Sequence, residues 1–378
     1  MTKKIRIMHL IDSYSIGGAE KLAFDIVTRM DKARFDIFIC SICSKKDNEE
    51  RDMREKLENC GVKTLTIDKI PKKQRFVSIM KLAKILSKNK IDILHTHCSP
   101  PDFYGKISAF LIHLNLVFST IHNTKGYSIW RERIMKNFTT KYIVISEEVE
   151  KYALKTLKIP SEKIKIIYIG IDVENFTNCL VKKEDKLKEL GININNCSKI
   201  VTTVGRINQQ KGHIYFIKAA ELVLKKFPDT HFLIIGNTQN GKDLYQKLIK
   251  IIKNKDLESK ITFTGIVPNI PEILAISDIF VLPSIFEGFA RVTIEAAMAG
   301  LPIVATDVGS IRQIVFDKEN GLIVHSKDIN ALANGIEFML SDEVRAKKMG
   351  LRGIKIAKKF KIEKTVSEYE QLYLSYLL

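Results

Sequence analysis

The sequence of 378 residues predicts an α/β fold with two doubly wound domains, each built on a parallel sheet covered by helices. Short apolar segments alternate along the chain with segments of helical periodicity, which is typical of repeated βα units. This alternation is interrupted once, by a polar stretch rich in asparagine and lysine at residues 174–198. The length is sufficient for two domains of ~100–200 residues each. We therefore predict one domain on either side of this stretch.

The first domain begins with a predicted strand at residues 5–11, a loop that contains glycine, and a helix from Ala19 to about Met30. The next apolar segments of this domain predict strands at 35–42, 62–67, 91–96, 117–122, 142–146 and 163–168. We expect the domain boundary near residues 165–180 and assign residues 1–172 to this first domain.

The second domain is predicted to cover residues 173–359. Its apolar segments predict strands at 199–205, 231–236, 260–265, 279–283 and 302–306. Residues 360–378 follow, with apolar side chains at helical spacing: Val366, Tyr369, Leu372, Tyr373 and Tyr376. This spacing predicts an amphipathic C-terminal helix.

The composition excludes several classes of protein. A hydrophobic content of 45% is too high for a disordered chain, and six cysteines are too few for a small disulfide scaffold. No apolar run approaches the ~20 residues that span a bilayer, and Arg6, His9 and Asp12 interrupt the apolar N-terminus that a signal peptide needs. We expect a soluble, cytoplasmic protein.

The formal net charge of +18 suggests an anionic partner. The densest basic stretch, Lys69–Lys90, contains no acidic residue. It allows two interpretations: a solvated helix face, or a surface that docks on the anionic inner face of a membrane. Apolar residues interleave its charges and would serve either a membrane or a core: Phe76, Ile79, Met80, Ala83 and Leu86.

Cys40 and Cys43 have the spacing of a CxxC motif but lie in a predicted strand, where residues three apart point to opposite faces. No second cysteine pair or histidine pair at zinc-finger spacing accompanies them. Buried, reduced thiols are therefore the favoured interpretation, and we expect neither a metal nor a redox role for them.

The strongest chemical signal is a pair of carboxylates, Glu287 and Glu295, on either side of a predicted strand–loop–helix junction. Ligands of open α/β sheets bind at the carboxyl ends of the strands, where this loop lies. The loop from Gly288 to Arg291 would present backbone N–H groups at the start of the helix. Paired hydroxyl groups of a sugar or a ribose are natural partners of such carboxylates. The alternative is that Glu295 only stabilises the first turns of the helix.

A second signal is the loop that carries Arg206 and Lys211, between a predicted strand and a helix that begins near His213. The planar guanidinium and the compact ammonium both suit phosphate oxygens. Gly205 and Gly212 would allow the backbone to approach a ligand closely. The loop lacks the P-loop pattern, and its alternative interpretation is an ordinary loop of a lysine-rich chain.

In the first domain, Gly17 and Gly18 open the first helix and could direct backbone N–H groups towards a diphosphate. His95 and His97 end one predicted strand, and His122 ends the next, where each could bind a hydroxyl or a phosphate. His95 and His97 share a strand face, but the sequence shows no third ligand and no Asp-x-Asp, so we expect no metal.

Together these motifs resemble the retaining GT-B glycosyltransferases of family 4 over nearly the whole chain. The matching segments are Gly17-Gly18-Ala19-Glu20, His95-Thr-His97, Ile121-His122, Val144-Ile-Ser146, Gly170-Ile-Asp172, Val204-Gly205-Arg206, Lys211-Gly212, Leu282-Pro283-Ser284, Glu287 and Glu295. The resemblance implies two Rossmann-like domains facing a cleft, with a C-terminal helix that crosses back to the first domain. It implies a metal-independent hexosyltransferase that uses a nucleotide-diphosphate sugar and needs no cofactor.

The resemblance also implies roles for the charged residues. Arg206 and Lys211 would bind the donor diphosphate and stabilise its charge as it leaves. Glu295 would bind the ribose hydroxyls. Glu287 would bind the donor sugar, together with the backbone of Gly288, Phe289, Ala290 and Arg291.

Three further residues complete the implied site. Gly18 would donate its N–H to a phosphate, His122 would lie near the sugar and the acceptor, and Val267 would lie beside the base. Ala290 stands where the family usually has glycine. Its methyl group would narrow the sugar pocket, so the resemblance does not identify the donor sugar. Ile169 and Asn237 are two further departures from the family pattern, and neither removes an expected charge.

The predicted activity is transfer of a sugar, from UDP by default and GDP next, to a glycan or lipid-linked acceptor in bacterial surface polysaccharide synthesis. A GT-B nucleotide-sugar epimerase is the first alternative. A basic nucleic-acid-binding protein is the second, but one tryptophan and a basic stretch with only Phe76 do not form an aromatic and basic binding face. We therefore expect no nucleic-acid partner.

Overall fold

The structure is a computed structural model that describes residues 3–377, except for residues 16, 45, 69–74, 178, 180, 193–197, 239, 240 and 268. The chain folds into two compact units. Unit 1 comprises Met1–Gly170 and Ile362–Leu378, and unit 2 comprises Ile171–Lys361. The divisions lie within two residues of the boundaries predicted at 172 and 360. Lys69, Lys72, Lys73 and Cys197, which entered the sequence predictions, lie outside the described residues.

Unit 1 has a seven-stranded parallel sheet with the strand order β3-β2-β1-β4-β5-β6-β7. Its strands are β1 (Ile5–Ile11), β2 (Phe35–Ser41), β3 (Lys63–Thr66), β4 (Ile93–His97), β5 (Leu116–Ile121), β6 (Lys141–Val144) and β7 (Ile164–Ile166). Its helices are α1 (Gly18–Arg29), α2 (Asn48–Asn59), α3 (Arg75–Lys88), α4 (Ser99–Leu111), α5 (Ile129–Met135), α6 (Glu147–Lys155) and the C-terminal α15 (Ile362–Leu374).

Unit 2 has a six-stranded parallel sheet with the strand order β10-β9-β8-β11-β12-β13. Its strands are β8 (Lys199–Val204), β9 (Thr230–Ile235), β10 (Ile261–Gly265), β11 (Ile279–Leu282), β12 (Ile303–Thr306) and β13 (Gly321–Val324). Its helices are α7 (Glu174–Thr177), α8 (Lys183–Glu189), α9 (His213–Leu224), α10 (Lys242–Lys253), α11 (Ile270–Ile276), α12 (Arg291–Met298), α13 (Ile329–Leu340) and α14 (Glu343–Ala357).

The central strands are buried on both faces, because helices cover each side of a parallel sheet. Strands β4 and β11, for example, have every residue buried. Polar residues cap several of the helices that cover the sheets. Asp47 accepts a hydrogen bond from the Glu50 amide at the start of α2, and Ser146 accepts one from Val149 at the start of α6. Such caps satisfy amide groups that the first turn of a helix leaves unpaired.

Each sheet has one point at which the strand order reverses, between β1 and β4 in unit 1 and between β8 and β11 in unit 2. Loops that follow the two strands at such a point diverge and leave a crevice at the carboxyl edge of the sheet. The two doubly wound sheets confirm the predicted fold class.

Strand β13 was not predicted. Its segment is only four residues long at the edge of the sheet, and it follows Asn320 directly. So short an apolar segment carries no periodicity that distinguishes a strand from a loop.

Two further expectations concern the cysteines and a membrane-spanning helix. The described cysteines form no disulfide bond with one another: Cys40, Cys43, Cys60, Cys98 and Cys179. Cys40 is buried, as predicted, whereas Cys43 is only half-buried because it lies just beyond the end of β2. No helix in the described part of the chain combines the length and the apolar character needed to cross a bilayer.

Candidate functional site

Two loops at the reversal point of the unit 2 sheet bring predicted site residues together. One loop joins β8 to α9 and carries Arg206 and Lys211. The other joins β11 to α12 and carries Glu287. Because β8 and β11 are parallel neighbours, both loops leave the same edge of the sheet.

An ion pair connects the two loops. Lys211 Nζ lies 2.7 Å from Glu287 Oε1, and Ser284 Oγ donates to the same oxygen at 2.7 Å. Only 5% of Glu287 is exposed. Gln210 adds contacts between the loops: its Nε2 donates to the Phe286 carbonyl at 3.1 Å. A buried carboxylate with these partners is fixed in position next to its lysine.

Gly212 lets the two loops approach each other. Its backbone is left-handed, with φ of +64°, and a Cβ at this position would lie 1.9 Å from the Pro283 carbonyl oxygen. Only glycine adopts this φ without cost and leaves room for the carbonyl. The amide of the preceding Lys211 donates to Asn208 Oδ1 at 3.1 Å, which fixes the turn that presents the lysine.

Arg206 lies on the same loop, and its side chain is exposed. Among the described residues, none pairs with its guanidinium. Its carbonyl accepts a hydrogen bond from His213 Nε2 at 3.2 Å, which holds the backbone beneath it. Burial lowers the pKa of His213 to about 4, so this imidazole is neutral. The arrangement leaves one guanidinium available to an anion at the edge of the sheet.

The start of α12 holds the second carboxylate of the motif. Glu295 Oε1 lies 3.1 Å from Arg291 Nε, one helical turn away, and both side chains are at least 90% buried. The amides of Phe289 and Ala290 precede the helix and donate to none of the described groups. Backbone N–H groups at a helix N-terminus are suited to bind a hydroxyl or an anion.

Val267 lies just after β10, two strands away from β8 in the sheet. It is half-buried and packs beside a small apolar cluster that includes Ile235 and Ile273. No described contact joins Val267 to the loops with the charged residues. Its predicted position beside a base therefore stays a prediction.

In unit 1, Gly18 is exposed as the first residue of α1, after the N-cap Gly17. Its amide is one of those that the first turn of a helix leaves unpaired, and it donates to no described group. His122 follows β5 and is 5% exposed. Burial lowers its pKa to about 3, so the ring is neutral at physiological pH.

The structure adds a histidine that no sequence motif indicates. His9 on β1 lies opposite His95 on β4 in the sheet register, and its Nδ1 is 3.0 Å from His97 Nε2. His97 Nδ1 is in turn 3.2 Å from His122 Nε2. Of the described residues, His9, His95 and His97 form one cluster whose nitrogens lie close enough to bind a common metal ion. The pairing of β1 with β4 produces this cluster, and no sequence spacing reveals it.

The model of the family described as "Glycosyl transferases group 1" matches residues 184–356, and the model of "Glycosyltransferase Family 4" matches residues 16–175. A relative from Escherichia coli, described as "UDP-Gal:alpha-D-GlcNAc-diphosphoundecaprenol alpha-1,3-galactosyltransferase", is 29% identical over 98% of this chain and 97% of its own length.

Two solved structures resemble the fold. The structure of a glycosyltransferase from Rickettsia africae has a TM-score of 0.85 at 21% identity and is covered over 99% of both chains. The structure of Anabaena Alr3699/HepE in complex with UDP-glucose has a TM-score of 0.85 at 20% identity, over 98% of this chain and 100% of that chain. At this level of identity the likeness concerns the fold.

Proposed function

The chain belongs to family 4 of the glycosyltransferases and has their GT-B fold, and from this premise we propose that it transfers a hexose from a UDP-sugar to a lipid-linked acceptor. The two family models match different parts of the chain and together cover both of its units. A galactosyltransferase that is similar over nearly its whole length acts, by its description, on a sugar linked to diphosphoundecaprenol. The observation that carries the proposal is the pair of loops that presents Arg206 and Lys211 at one edge of the unit 2 sheet.

We propose that Arg206 and Lys211 bind the donor diphosphate. The guanidinium of Arg206 is exposed and has no partner among the described residues, whereas Lys211 is held by Glu287. Two cations at one edge of the sheet can stabilise negative charge that develops on the leaving diphosphate. Because these side chains can supply that stabilisation, we propose that the reaction needs no metal ion.

The carboxylates and amides of the second loop are proposed to bind the hydroxyl groups of the donor. Glu295 is assigned to the ribose, and Glu287 with the amides of Phe289 and Ala290 is assigned to the sugar. The methyl group of Ala290 is buried, with 2% exposure, and narrows the space beside these amides. In unit 1, Gly18 is proposed to donate to a phosphate and His122 to contact the sugar.

We further propose that transfer retains the anomeric configuration. The bond between the anomeric carbon and the acceptor oxygen forms on the same face on which the bond to the diphosphate oxygen breaks. The electron pair of the broken bond leaves with the diphosphate, which takes up the proton of the acceptor hydroxyl. Glu287 already accepts hydrogen bonds from Lys211 and Ser284 through one oxygen, so we assign it a binding role without a covalent intermediate.

The test is donor binding followed by transfer. The full chain is heated with UDP, GDP and their sugars, with and without EDTA, and UDP release is then measured with UDP-galactose and a GlcNAc-diphosphate lipid. Ligand at 100 times its Kd adds about 2.7 kcal/mol to stability, which gives a clear shift in Tm. We expect shifts with UDP ligands that EDTA does not remove, and UDP release only when the acceptor is present.

Variants show whether the site is responsible. Arg206→Ala is expected to lower kcat by about 10²- to 10³-fold, the typical effect of losing one group that stabilises a developing anion. Glu295→Ala should abolish the UDP-induced shift. Arg352→Ala, an exposed arginine on α14, is the matched control and should behave as the parent protein. Conversion of UDP-galactose without acceptor would indicate an epimerase, and salt-dependent binding of random oligonucleotides would indicate the nucleic-acid alternative.

A contact with the membrane surface is proposed through α3. The helix has two apolar groups of residues: Ile79, Ala83 and Leu86 are buried in the core, whereas Phe76 and Met80 are exposed. Phe76 is 68% exposed, a large fraction for an aromatic side chain. The exposed basic residues of the same helix are Arg75, Lys81, Lys84 and Lys88. A face that combines exposed apolar and basic side chains suits an anionic bilayer, to which each Lys or Arg adds about 1 kcal/mol.

Vesicle binding tests this contact. The protein is expected to bind vesicles that contain anionic lipid and to bind neutral vesicles weakly. Phe76→Ser with Met80→Ser should reduce binding about tenfold or more, because exposed apolar area is lost without a change in charge. Val344→Ser with Leu351→Ser removes similarly exposed residues of unit 2 and serves as the control. Equal binding to neutral and anionic vesicles, or equal loss in both double variants, would disprove the contact.

A further inference from the structure

Three histidines of unit 1 form a chain of hydrogen bonds that ends at a proposed site residue. His9 lies within β1, His97 ends β4 and His122 directly follows β5. All three are at least 95% buried. His122 Nε2 faces His97 Nδ1 at 3.2 Å, and His97 Nε2 faces His9 Nδ1 at 3.0 Å. The chain therefore uses both nitrogens of its central ring.

The rings of the chain point at one another. The ring centroids of His9 and His97 are 5.3 Å apart with planes 22° apart, while the facing nitrogens are 3.0 Å apart. The two nitrogens therefore lie between the centroids and close to both ring planes, as an N–H···N hydrogen bond requires. A metal at the Zn–N distance of ~2.0–2.1 Å from both nitrogens would have to lie about 1.4 Å off the line that joins them, away from the directions in which their lone pairs point.

His95 completes the cluster but is not part of the chain. Its ring stacks on His97, with centroids 4.4 Å apart and planes 20° apart. Its own nitrogens bond elsewhere: Nδ1 with the Tyr373 hydroxyl of α15 at 2.5 Å, and Nε2 with Thr120 Oγ1 at 2.7 Å. The geometry therefore favours a chain of three imidazoles over a metal site with three ligands.

Three neutral imidazoles in series have only two proton arrangements. Each ring carries one N–H, and two of the three protons are needed for the two hydrogen bonds. The third proton lies either on His122 Nδ1 or on His9 Nε2, at the opposite ends of the chain. Burial lowers the pKa of both end rings to about 3 and also lowers the pKa of His97, so none of the three rings is charged at physiological pH.

The ends of the chain are not equivalent. His9 Nε2 is buried and has no hydrogen-bond partner among the described residues. A proton there would be a buried N–H without an acceptor, which is rarer in proteins than an unpaired acceptor. The third proton is therefore favoured on His122 Nδ1, and His97 and His9 then donate towards His122.

We propose that His97 and His9 are positioning residues that hold His122 in its Nδ1–H tautomer, so that this ring presents a hydrogen-bond donor to an oxygen of the bound sugar. The role in transfer rests on the proposed function, whereas the tautomer does not. A donor-only ring discriminates among ligand oxygens, because it binds a lone pair and cannot accept a hydroxyl proton.

The tautomer is measured directly. In the full chain labelled with ¹⁵N-histidine, long-range ¹H–¹⁵N spectra separate Nδ1–H from Nε2–H rings, and His122→Gln assigns the signal. We expect an Nδ1–H tautomer in the parent protein without any donor present. In His97→Phe the signal should change to a mixture of the two tautomers, whereas an Nε2–H ring in the parent protein would overturn the proposal. If stoichiometric Zn²⁺ shifts the ¹⁵N signals of His9, His95 and His97 together, the cluster is a metal site and the proposal is overturned.

Kinetics separate positioning from packing. His97→Phe and His95→Phe each remove two hydrogen bonds from the same core, but only His97 bonds to His122. We expect similar losses of Tm, about a tenfold loss of kcat/KM for UDP release in His97→Phe, and a change within about twofold in His95→Phe. His97→Gln should restore most of the activity, since its amide can donate to His122 and accept from His9.

Equal kinetic losses in the two phenylalanine variants would leave His97 with a structural role only and would overturn the proposal. If the parent protein releases UDP from none of the donors, the proposed function fails. The tautomer measurement needs no donor, and it then decides this inference independently.

Discussion

At the scale of single residues, Gly212 is the position on which the geometry of the unit 2 loops depends. Gly212→Ala would place a methyl group against the Pro283 carbonyl, 1.9 Å from its oxygen, in addition to the cost of a left-handed alanine. That backbone cost alone is about 1–2 kcal/mol. We expect a larger loss of stability than this, and a loss of transfer activity, because the loops separate and Lys211 leaves Glu287.

Gly191→Ala is the matched control for that prediction. Gly191 lies in the same unit with φ of +72°, and a Cβ there would meet nothing within 4 Å. It should therefore show only the backbone cost and keep full activity. Urea unfolding and UDP release are measured for both variants. Equal losses of stability would show that the contact with Pro283 has no energetic effect.

Among the site residues, the charged ones of unit 2 could be predicted from the sequence and the histidine chain could not. Arg206, Lys211 and Glu287 each follow a predicted strand, and the carboxyl ends of parallel strands share one edge. His9 lies in the middle of β1, where a sequence pattern indicates only a buried strand. Its contact with His97 depends on the pairing of β1 with β4, which the sequence does not specify.

At the scale of elements, helix α3 shows what periodicity can and cannot predict. The sequence predicts an amphipathic helix, but it does not separate the apolar residues that face the core from those that face solvent. Ile79 packs into the core of unit 1, and the Ser108 hydroxyl of α4 donates to its carbonyl. Phe76, one turn earlier, is exposed instead. The position of the neighbouring helix α4 decides between these two environments, and only the fold provides it.

A buried lysine connects three elements of unit 1. Lys106 on α4 is 0% exposed, and its Nζ contacts Asp102 on the same helix, Glu132 on α5 at 3.2 Å and the Tyr142 hydroxyl on β6 at 3.1 Å. Asp102 also accepts from Ser119 Oγ at 2.7 Å. In a chain so rich in lysine, nothing in the sequence distinguishes this residue from a solvated one.

Lys106→Met should therefore destabilise unit 1 strongly. Removing one partner of a buried ion pair typically costs about 3–5 kcal/mol, because the remaining carboxylates lose their counter-ion. Adding Glu132→Gln should recover part of this loss, since it removes one of the two buried charges. The measurement is urea unfolding, with Lys84→Met on the exposed face of α3 as the control, for which a change within about 0.5 kcal/mol is expected. A similar, small effect in both lysine variants would contradict the prediction.

At the scale of the whole molecule, the two units share one plan but differ in their buried titratable groups. Each sheet reverses its strand order once, and this could be predicted from two series of βα segments. The distribution of buried histidines could not. Unit 1 buries His9, His95, His97 and His122, whereas unit 2 buries His213 and His231.

This difference predicts how stability changes with pH. Burial lowers the pKa of all six histidines below 6.5, with values of about 3 for His9 and His122 and about 4 for His213 and His231, and with His95 and His97 also well below. The unfolded chain therefore binds more protons than the folded one as the pH falls below about 6.5. The stability that the folded protein gains from its neutral buried histidines is complete above about pH 6.5 and is lost as the pH falls below it.

Each neutral buried histidine contributes a slope of up to about 1.4 kcal/mol per pH unit. In unit 1, Glu132 acts in the opposite sense, because burial raises its pKa to about 7 and the folded state binds its proton first. The four buried histidines less Glu132 leave a difference of three bound protons between the unfolded and the folded state of unit 1. This difference gives unit 1 a slope of about 4 kcal/mol per pH unit between about pH 6 and 4.5. The two buried histidines of unit 2 give a slope of about 3 kcal/mol per pH unit.

Urea unfolding at about pH 7, 6 and 5 checks this prediction. Pulsed hydrogen exchange at each urea concentration, measured on amides of the buried strands β4 and β11, reports on unit 1 and unit 2 separately. We expect the unfolding midpoint of unit 1 to fall faster than that of unit 2 as the pH decreases. His9→Phe should reduce the pH slope of unit 1 by up to about 1.4 kcal/mol per pH unit, whereas His325→Asn, at an exposed histidine of unit 2, should leave it unchanged. A unit 1 midpoint that does not move between about pH 6 and 5 would mean that these rings take up protons without unfolding, and that their environment admits charge.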